Sequence, residues 1–210
     1  MKITSVIDSC SPLVAVRIED GNKEVTKTIT FREYQNACSN LAQEVRVQRI
    51  GQLPAGFVDG GVCENMYEAI IKVPGGRRPL NYFGKDYMVS FPDVVFYLTA
   101  SQGSAQTTKI WFADENGTLY HYPFGNVQSD ARICWGSNVL PKVSCIKDME
   151  SFVSLFFSAQ TNNDLYDSIK VEVDGKEVQL SQREFIEYVS KMDTFPMEVL
   201  RPFGLTINQL

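Results

Sequence analysis

Histidine is almost missing from this chain: one residue, His121, among 210. A zinc site of the usual Cys/His kind needs four clustered ligands, and one imidazole among scattered cysteines does not supply them, so neither a metal nor another cofactor is expected. A serine or cysteine hydrolase with an imidazole base is left a single candidate. Cysteine is sparse as well. Cys10, Cys38, Cys63, Cys134 and Cys145 are odd in number and widely spaced, with no Cys-x-x-Cys pair. Free thiols in a reducing compartment fit that spacing better than a disulfide scaffold. Long apolar runs are absent: the longest, Val94 to Ala100, falls far short of the roughly 18–20 residues that cross a bilayer. Positive charge is in deficit, Lys+Arg 20 against Asp+Glu 25 for a net −5, which argues against a coat for nucleic acid. Residues 1–8 lack the basic start, apolar run and cleavage site of a secretory leader. A cytoplasmic protein with no membrane and no nucleic-acid partner is the expectation.

What is present is ordinary globular material, 44% hydrophobic and 21% charged, enough for one domain or one domain with a small appendage. Leu13 to Ile18 reads as a strand, Asp20-Gly21-Asn22 as a turn, and about Val25 to Ile29 as the returning strand. Thr30 then caps a helix with Glu33 as its capping-box partner. Tyr34, Cys38, Leu41 and Val45 recur at helical spacing to about Val47, which places Cys38 in the core. The same grammar returns near the other end: strand Ile169 to Val173, turn Asp174-Gly175, strand Lys176 to Leu180, and a helix capped by Ser181 and Glu184. Either a duplicated hairpin–helix unit or shared turn chemistry accounts for the likeness. Pro196 and Pro202-Phe203-Gly204 end that helix and begin a tail.

The middle of the chain reads as an antiparallel run: Met66 to Val73, Pro79 to Phe83, Asp86 to Phe91, Asp93 to Ala100 and Thr107 to Ala113, with Asn116-Gly117 closing a further turn. From Tyr120 to Pro141 the pattern breaks, with Pro and Gly every few residues. A long irregular segment inside a domain is more often functional than not. Helix resumes over Ile146 to Phe157, and its Phe152, Leu155, Phe156 and Phe157 span too much of the circumference to be exposed.

The irregular segment contains Tyr122-Pro123-Phe124-Gly125-Asn126, a turn, and then Ile133-Cys134-Trp135. This resembles the active-site stretch of ubiquitin-conjugating enzymes, where a His-Pro-Asn motif precedes Ile/Val-Cys-Leu by a turn. The interval from that Asn to the catalytic Cys is eight residues in the family, as it is from Asn126 to Cys134. Gln52-Leu53-Pro54, Ile71 to Arg78, Pro92 to Phe96, Leu119-Tyr120 and Asn126 to Ser137 together resemble the PRTRC system protein B group, prokaryotic ubiquitin-conjugating family D. The likeness runs over about residues 13–160. Phe124-Gly125 stands where the family has His-Pro, which puts the rigidity of the loop in question more than its chemistry.

The resemblance implies an α+β fold, a ubiquitin-conjugating-like antiparallel meander flanked by helices, here with an added C-terminal hairpin and helix. The expected division is 1–48 for the first hairpin and helix, 49–165 for the core with its flap, and 166–210 for the C-terminal hairpin, helix and tail. It implies a cysteine thioester on Cys134 carrying a ubiquitin-like modifier for transfer to an amine. The implied partners are a ubiquitin-like protein, a ThiF-type adenylating enzyme and a JAB-type isopeptidase. An unperturbed thiol has a pKa of about 8.5 and is only a few per cent thiolate near neutrality. Arg132, two positions from Cys134, shares its face if the piece is extended and would favour the thiolate, unless it is a plain surface charge. Asn126 is suited to donate its amide to the oxyanion of the tetrahedral adduct, to bond the flap backbone, or both. Asp130 and Asp148 are the carboxylates considered for the attacking amine. Two rival readings stand beside this one: a Cys134/His121 hydrolase, and an inactive scaffold of the same fold that binds a ubiquitin-like partner.

Overall fold

Segments rich in Val, Ile, Thr and aromatic residues alternate in burial along most of this chain, and they form antiparallel strands. The structure is a computed structural model that describes residues 2–8, 11–21, 23–42, 51–173 and 175–210. Cys10, Asn22, Asp174 and the stretch from 43 to 50, where the sequence places two turns and the end of the first helix, lie outside them. Two compact units are present, residues 1–47 and residues 48–210.

In the first unit, β1 (Lys2–Ile7), β2 (Leu13–Asp20) and β3 (Lys23–Thr30) form a meander followed by α1 (Phe31–Ala42). Asp20 pairs with Lys23, and Gly21 takes a positive φ of +58°, as tight hairpin connections favour. Thr30 and Glu33 form the reciprocal cap: the Thr30 N–H donates to the Glu33 carboxylate at 2.8 Å, and the Glu33 N–H to Thr30 Oγ1 at 3.2 Å. One expectation changes here: Cys38 is exposed rather than core. The segment before Leu13, which carries no structural expectation from sequence, supplies the strand β1. Among the described residues, so small a unit buries little beyond Val14 and Val16 and leaves Cys38 on the helix stripe exposed.

The second unit continues with β4 (Phe57–Cys63), β5 (Met66–Val73), β6 (Gly76–Tyr82), β7 (Lys85–Phe91), β8 (Asp93–Ser101), β9 (Ser104–Ala113) and β10 (Thr118–His121). A 3-10 turn at Ile146–Met149 leads into α2 (Glu150–Ser158). Then follow β11 (Ile169–Val173), β12 (Lys176–Leu180), α3 (Gln182–Val189) and β13 (Pro202–Thr206). The main sheet has the order β13-β10-β9-β8-β5-β4, while β6–β7 and β11–β12 are separate hairpins.

Period-two alternation sorts the core. Val94, Phe96 and Leu98 face the larger side with Phe112, Phe124, Phe152, Phe185 and Phe195. Val95 faces the other side with Ile70, Trp111 and Leu119. Residues 166–210 belong to this same unit: the Phe185 ring lies 5.7 Å from that of Phe124, and Phe195 lies 5.0 Å from Phe112. The expected tail at Pro202-Phe203-Gly204 is an edge strand, β13, antiparallel to β10. Proline is tolerated there because it opens an edge strand, where its missing N–H costs no ladder bond. Phe203 packs its ring 5.4 Å from Trp111.

Candidate active site

Along β9, β10 pairs only with the final residues, Trp111–Ala113. The preceding part of that edge is taken by the returning flap: the Ile110 N–H donates to Ala131 O at 3.0 Å and the Ile133 N–H to Thr108 O at 2.9 Å. The chain therefore leaves the sheet after His121, loops outward, and comes back to the same edge to place Cys134. A turn within the loop is closed by Gln128 N–H to Arg132 O at 2.8 Å, with Ala131 at φ +70°.

The rigidity that a His-Pro pair would bring comes here from packing. Phe124 is 1% exposed among the rings of Phe91, Phe112, Tyr122, Phe185 and Phe195; such burial is worth about 1.5–3 kcal/mol. A Cβ at Gly125 would stand 2.2 Å from Asn162 O and 2.9 Å from Asp164 O. Any side chain at this position, proline included, would force the flap or the facing loop to shift, and glycine avoids that clash.

Asn126 sits at φ +67°, a conformation asparagine tolerates better than most residues. Its N–H donates to Asp164 O at 2.8 Å, and its carbonyl accepts the Cys134 N–H at 2.7 Å. The two residues read eight apart are thus joined through the backbone. The Asn126 side-chain amide donates to Gln160 O at 2.9 Å. Next along, Trp135 Nε1 donates to Thr108 Oγ1 at 2.8 Å and its ring packs on Phe152 and Phe156.

Cys134 is exposed and opens into a cleft of about 430 Å³ that Asn126 also lines. One wall is aromatic (Phe83, Trp135, Phe156), and the other is built from polar residues that follow α2, including Gln160, Asn162 and Asp164. Such a cleft can admit a narrow extended chain to the sulfur, offer amide donors to a carbonyl oxygen, and hold one negative charge beside it.

Arg132 alternates with buried Ile133 and is exposed like Cys134, but its Nε lies 2.6 Å from Asp130 Oδ2. Surface pairs of this kind are worth about 0–1 kcal/mol. Slight burial would raise the Asp130 carboxyl, and the Arg132 N–H, its guanidinium and Lys109 outweigh that and hold it below the usual range. Asp148 accepts the N–H groups of Ser144 and Cys145 at 2.7 and 3.0 Å, which lowers its carboxyl and makes it a cap. Neither carboxylate lines the cleft. The one that does is Asp164, whose Oδ2 accepts from Asn162 Nδ2 at 2.9 Å. Nothing local in the sequence marks Asp164 or Phe83, since each reaches the cleft from a distant loop.

His121 lies apart from the cysteine. It lines a different cavity, of about 360 Å³, with Asp167 and Arg201, and its ring packs 5.0 Å from Phe203. Burial first, then the Arg201 charge, hold its imidazole below the ordinary value against an opposing pull from Asp167. Among the described residues no group of three His, Cys, Asp or Glu could hold a metal ion, and no helix is long and apolar enough to cross a membrane.

Sheet, helices and flap together define an α+β protein with an exposed cysteine at the edge of its main sheet. The sequence profile of Prokaryotic E2 family D matches residues 71–203, and the chain belongs to this prokaryotic E2-like family. The match takes in the C-terminal hairpin and helix, which the likeness read from the sequence over residues 13–160 left out. No curated protein and no solved structure matches the chain.

Proposed function

We propose that Cys134 accepts the C-terminus of a bacterial ubiquitin-like protein as a thioester from a ThiF-type adenylating enzyme and passes it to an amine. The observation that carries this reading is the exposed Cys134 sharing a cleft with Asn126, the two joined by a 2.7 Å backbone hydrogen bond, in a chain of the E2-like family. A JAB-type isopeptidase would reverse the product. In loading, Cys134 Sγ adds to the carbonyl of the incoming thioester, the old carbon–sulfur bond breaks, and the departing sulfur takes the proton. The exchange is close to isoenergetic and needs no imidazole base. In discharge, the amine adds to the carbonyl, negative charge builds on oxygen, and the Cys134 thiolate leaves. Of the two N–H groups of the Asn126 amide, the one on Gln160 O fixes the plane and the other serves the oxyanion. Asp164, the carboxylate that lines this cleft, takes the amine's proton in this reading.

Mixing the chain with its adenylating enzyme, ATP and ubiquitin-like protein should give a reductant-sensitive adduct that Cys134→Ser abolishes. An equal adduct in that variant would end the proposal, and tight binding with no adduct would favour the scaffold. His121→Ala should leave both loading and discharge unchanged across the range where an imidazole titrates, as its separate cavity requires. Loss of turnover in His121→Ala would instead support the hydrolase.

A further inference from the structure

β5 and β8 pair with each other from Met66↔Ser101 to Val73↔Val94, so the sheet needs only a tight turn between Val73 and Val94. Instead the chain leaves the sheet to form the β6–β7 hairpin. Its tip is Phe83-Gly84, between the paired residues Tyr82 and Lys85, with φ of +47° and +79°. A two-residue turn with both φ positive favours Asn, Asp or Gly in the first place, and a bulky residue there is a backbone outlier.

The tip is held firmly. The Phe83 N–H donates to Thr161 O at 3.2 Å, the Thr161 N–H donates to Asn81 O at 2.7 Å, and Tyr82 OH bonds Asn163 Oδ1 at 2.8 Å. The Gly84 N–H adds a bond to Asn81 Oδ1 at 3.1 Å. Phe83 nonetheless stays 58% exposed, its ring edge-on to Tyr82, and the residue lines the Cys134 cleft. A strained backbone and an exposed aromatic ring each work against stability, and strain of this kind gathers where a site uses it.

We propose that Phe83 shields the acyl group on Cys134 from water, an inference that rests on the thioester reading above. In the competing reaction a water oxygen adds to the thioester carbonyl and the carbon–sulfur bond breaks. The acyl group departs as a carboxylic acid and the sulfur takes the remaining proton. A ring carried at the cleft wall on this hydrogen-bonded tip keeps bulk water from that carbonyl between loading and discharge.

The test forms the adduct on full-length wild type, Phe83→Ala, Phe83→Asn and Phe83→Tyr, removes ATP, and follows decay without an added amine. Phe83→Ala and Phe83→Asn should decay about tenfold faster, the change that about 1.4 kcal/mol of barrier produces, and Phe83→Tyr should decay like wild type. Phe83→Asn should also melt higher than wild type, because asparagine suits the turn. Equal decay in all four, or faster decay accompanied by a lower melting point in Phe83→Asn, overturns the shield. Alkylation by iodoacetamide separates this from the parent reading. Mapped by mass, it should quicken at Cys134 in Phe83→Ala and stay constant at exposed Cys63 and Cys145. If wild type forms no adduct the thioester reading fails, and an unquickened Cys134 in the same variant sinks the shield.

Discussion

Asn126→Ala and Asn126→Gly will both slow discharge of the Cys134 adduct to an amine by about 10²–10³-fold, the usual loss for one oxyanion donor. The pair is needed because Asn126 has two jobs. Its φ of +67° penalises alanine by about 1–2 kcal/mol, whereas glycine adopts that conformation freely. Its amide also donates to the exposed carbonyl of Gln160, and water can replace that bond in either variant. If the amide stabilises the oxyanion, both variants are slow in discharge while loading proceeds. If Asn126 only shapes the flap, the glycine variant discharges like wild type and the alanine variant alone is impaired. Single-turnover discharge from purified adduct, compared with the loading rate, separates the two.

Gly125→Ala is expected to destabilise the second unit by about 1–3 kcal/mol, in the range of overpacking a well-packed site. The added methyl would meet Asn162 O at 2.2 Å and both Asp164 O and Gln182 Oε1 at 2.9 Å. Two of these are backbone atoms of the loop that forms the polar wall of the cleft, so neither can swing aside. The flap must lift, which strains the Asn126 N–H to Asp164 O bond and displaces the residue whose carbonyl holds the Cys134 N–H. Denaturant midpoints should fall, and discharge should slow even where the protein still folds. Gly61→Ala is the control, with open space around its Cβ and no positive φ; wild-type stability in Gly125→Ala would show that the loop yields.

The features legible in the sequence are those decided by neighbours. The Thr30/Glu33 and Ser181/Glu184 capping boxes form as their spacing implies, and the segment after β10 is irregular because Pro123, Gly125 and Gly136 interrupt any period. Features decided by distant partners were hidden. β4 carries Gly60 and Gly61 and gives no strand pattern of its own, and β13 opens on Pro202 and reads as a tail, yet each finds a ladder on an edge of the main sheet. Arg132 stands two residues from Asp130 and two from Cys134, and sequence spacing cannot choose between them; the structure pairs it with Asp130. The interval from Asn126 to Cys134 was readable, but what it signifies physically, a backbone bond across the base of the loop, was not. Phe83 and Asp164 had no local signal, because a hairpin and a post-helical loop bring them to the cleft from far along the chain.

The most direct measurement is to isolate the reductant-labile adduct with a ubiquitin-like partner, digest it under mildly acidic conditions, and locate the acyl group by mass. The predicted result is a single acylated peptide containing Cys134, with Cys63 and Cys145 unmodified. An acyl group on either of those thiols, or partner bound with no acylated cysteine at all, would contradict it.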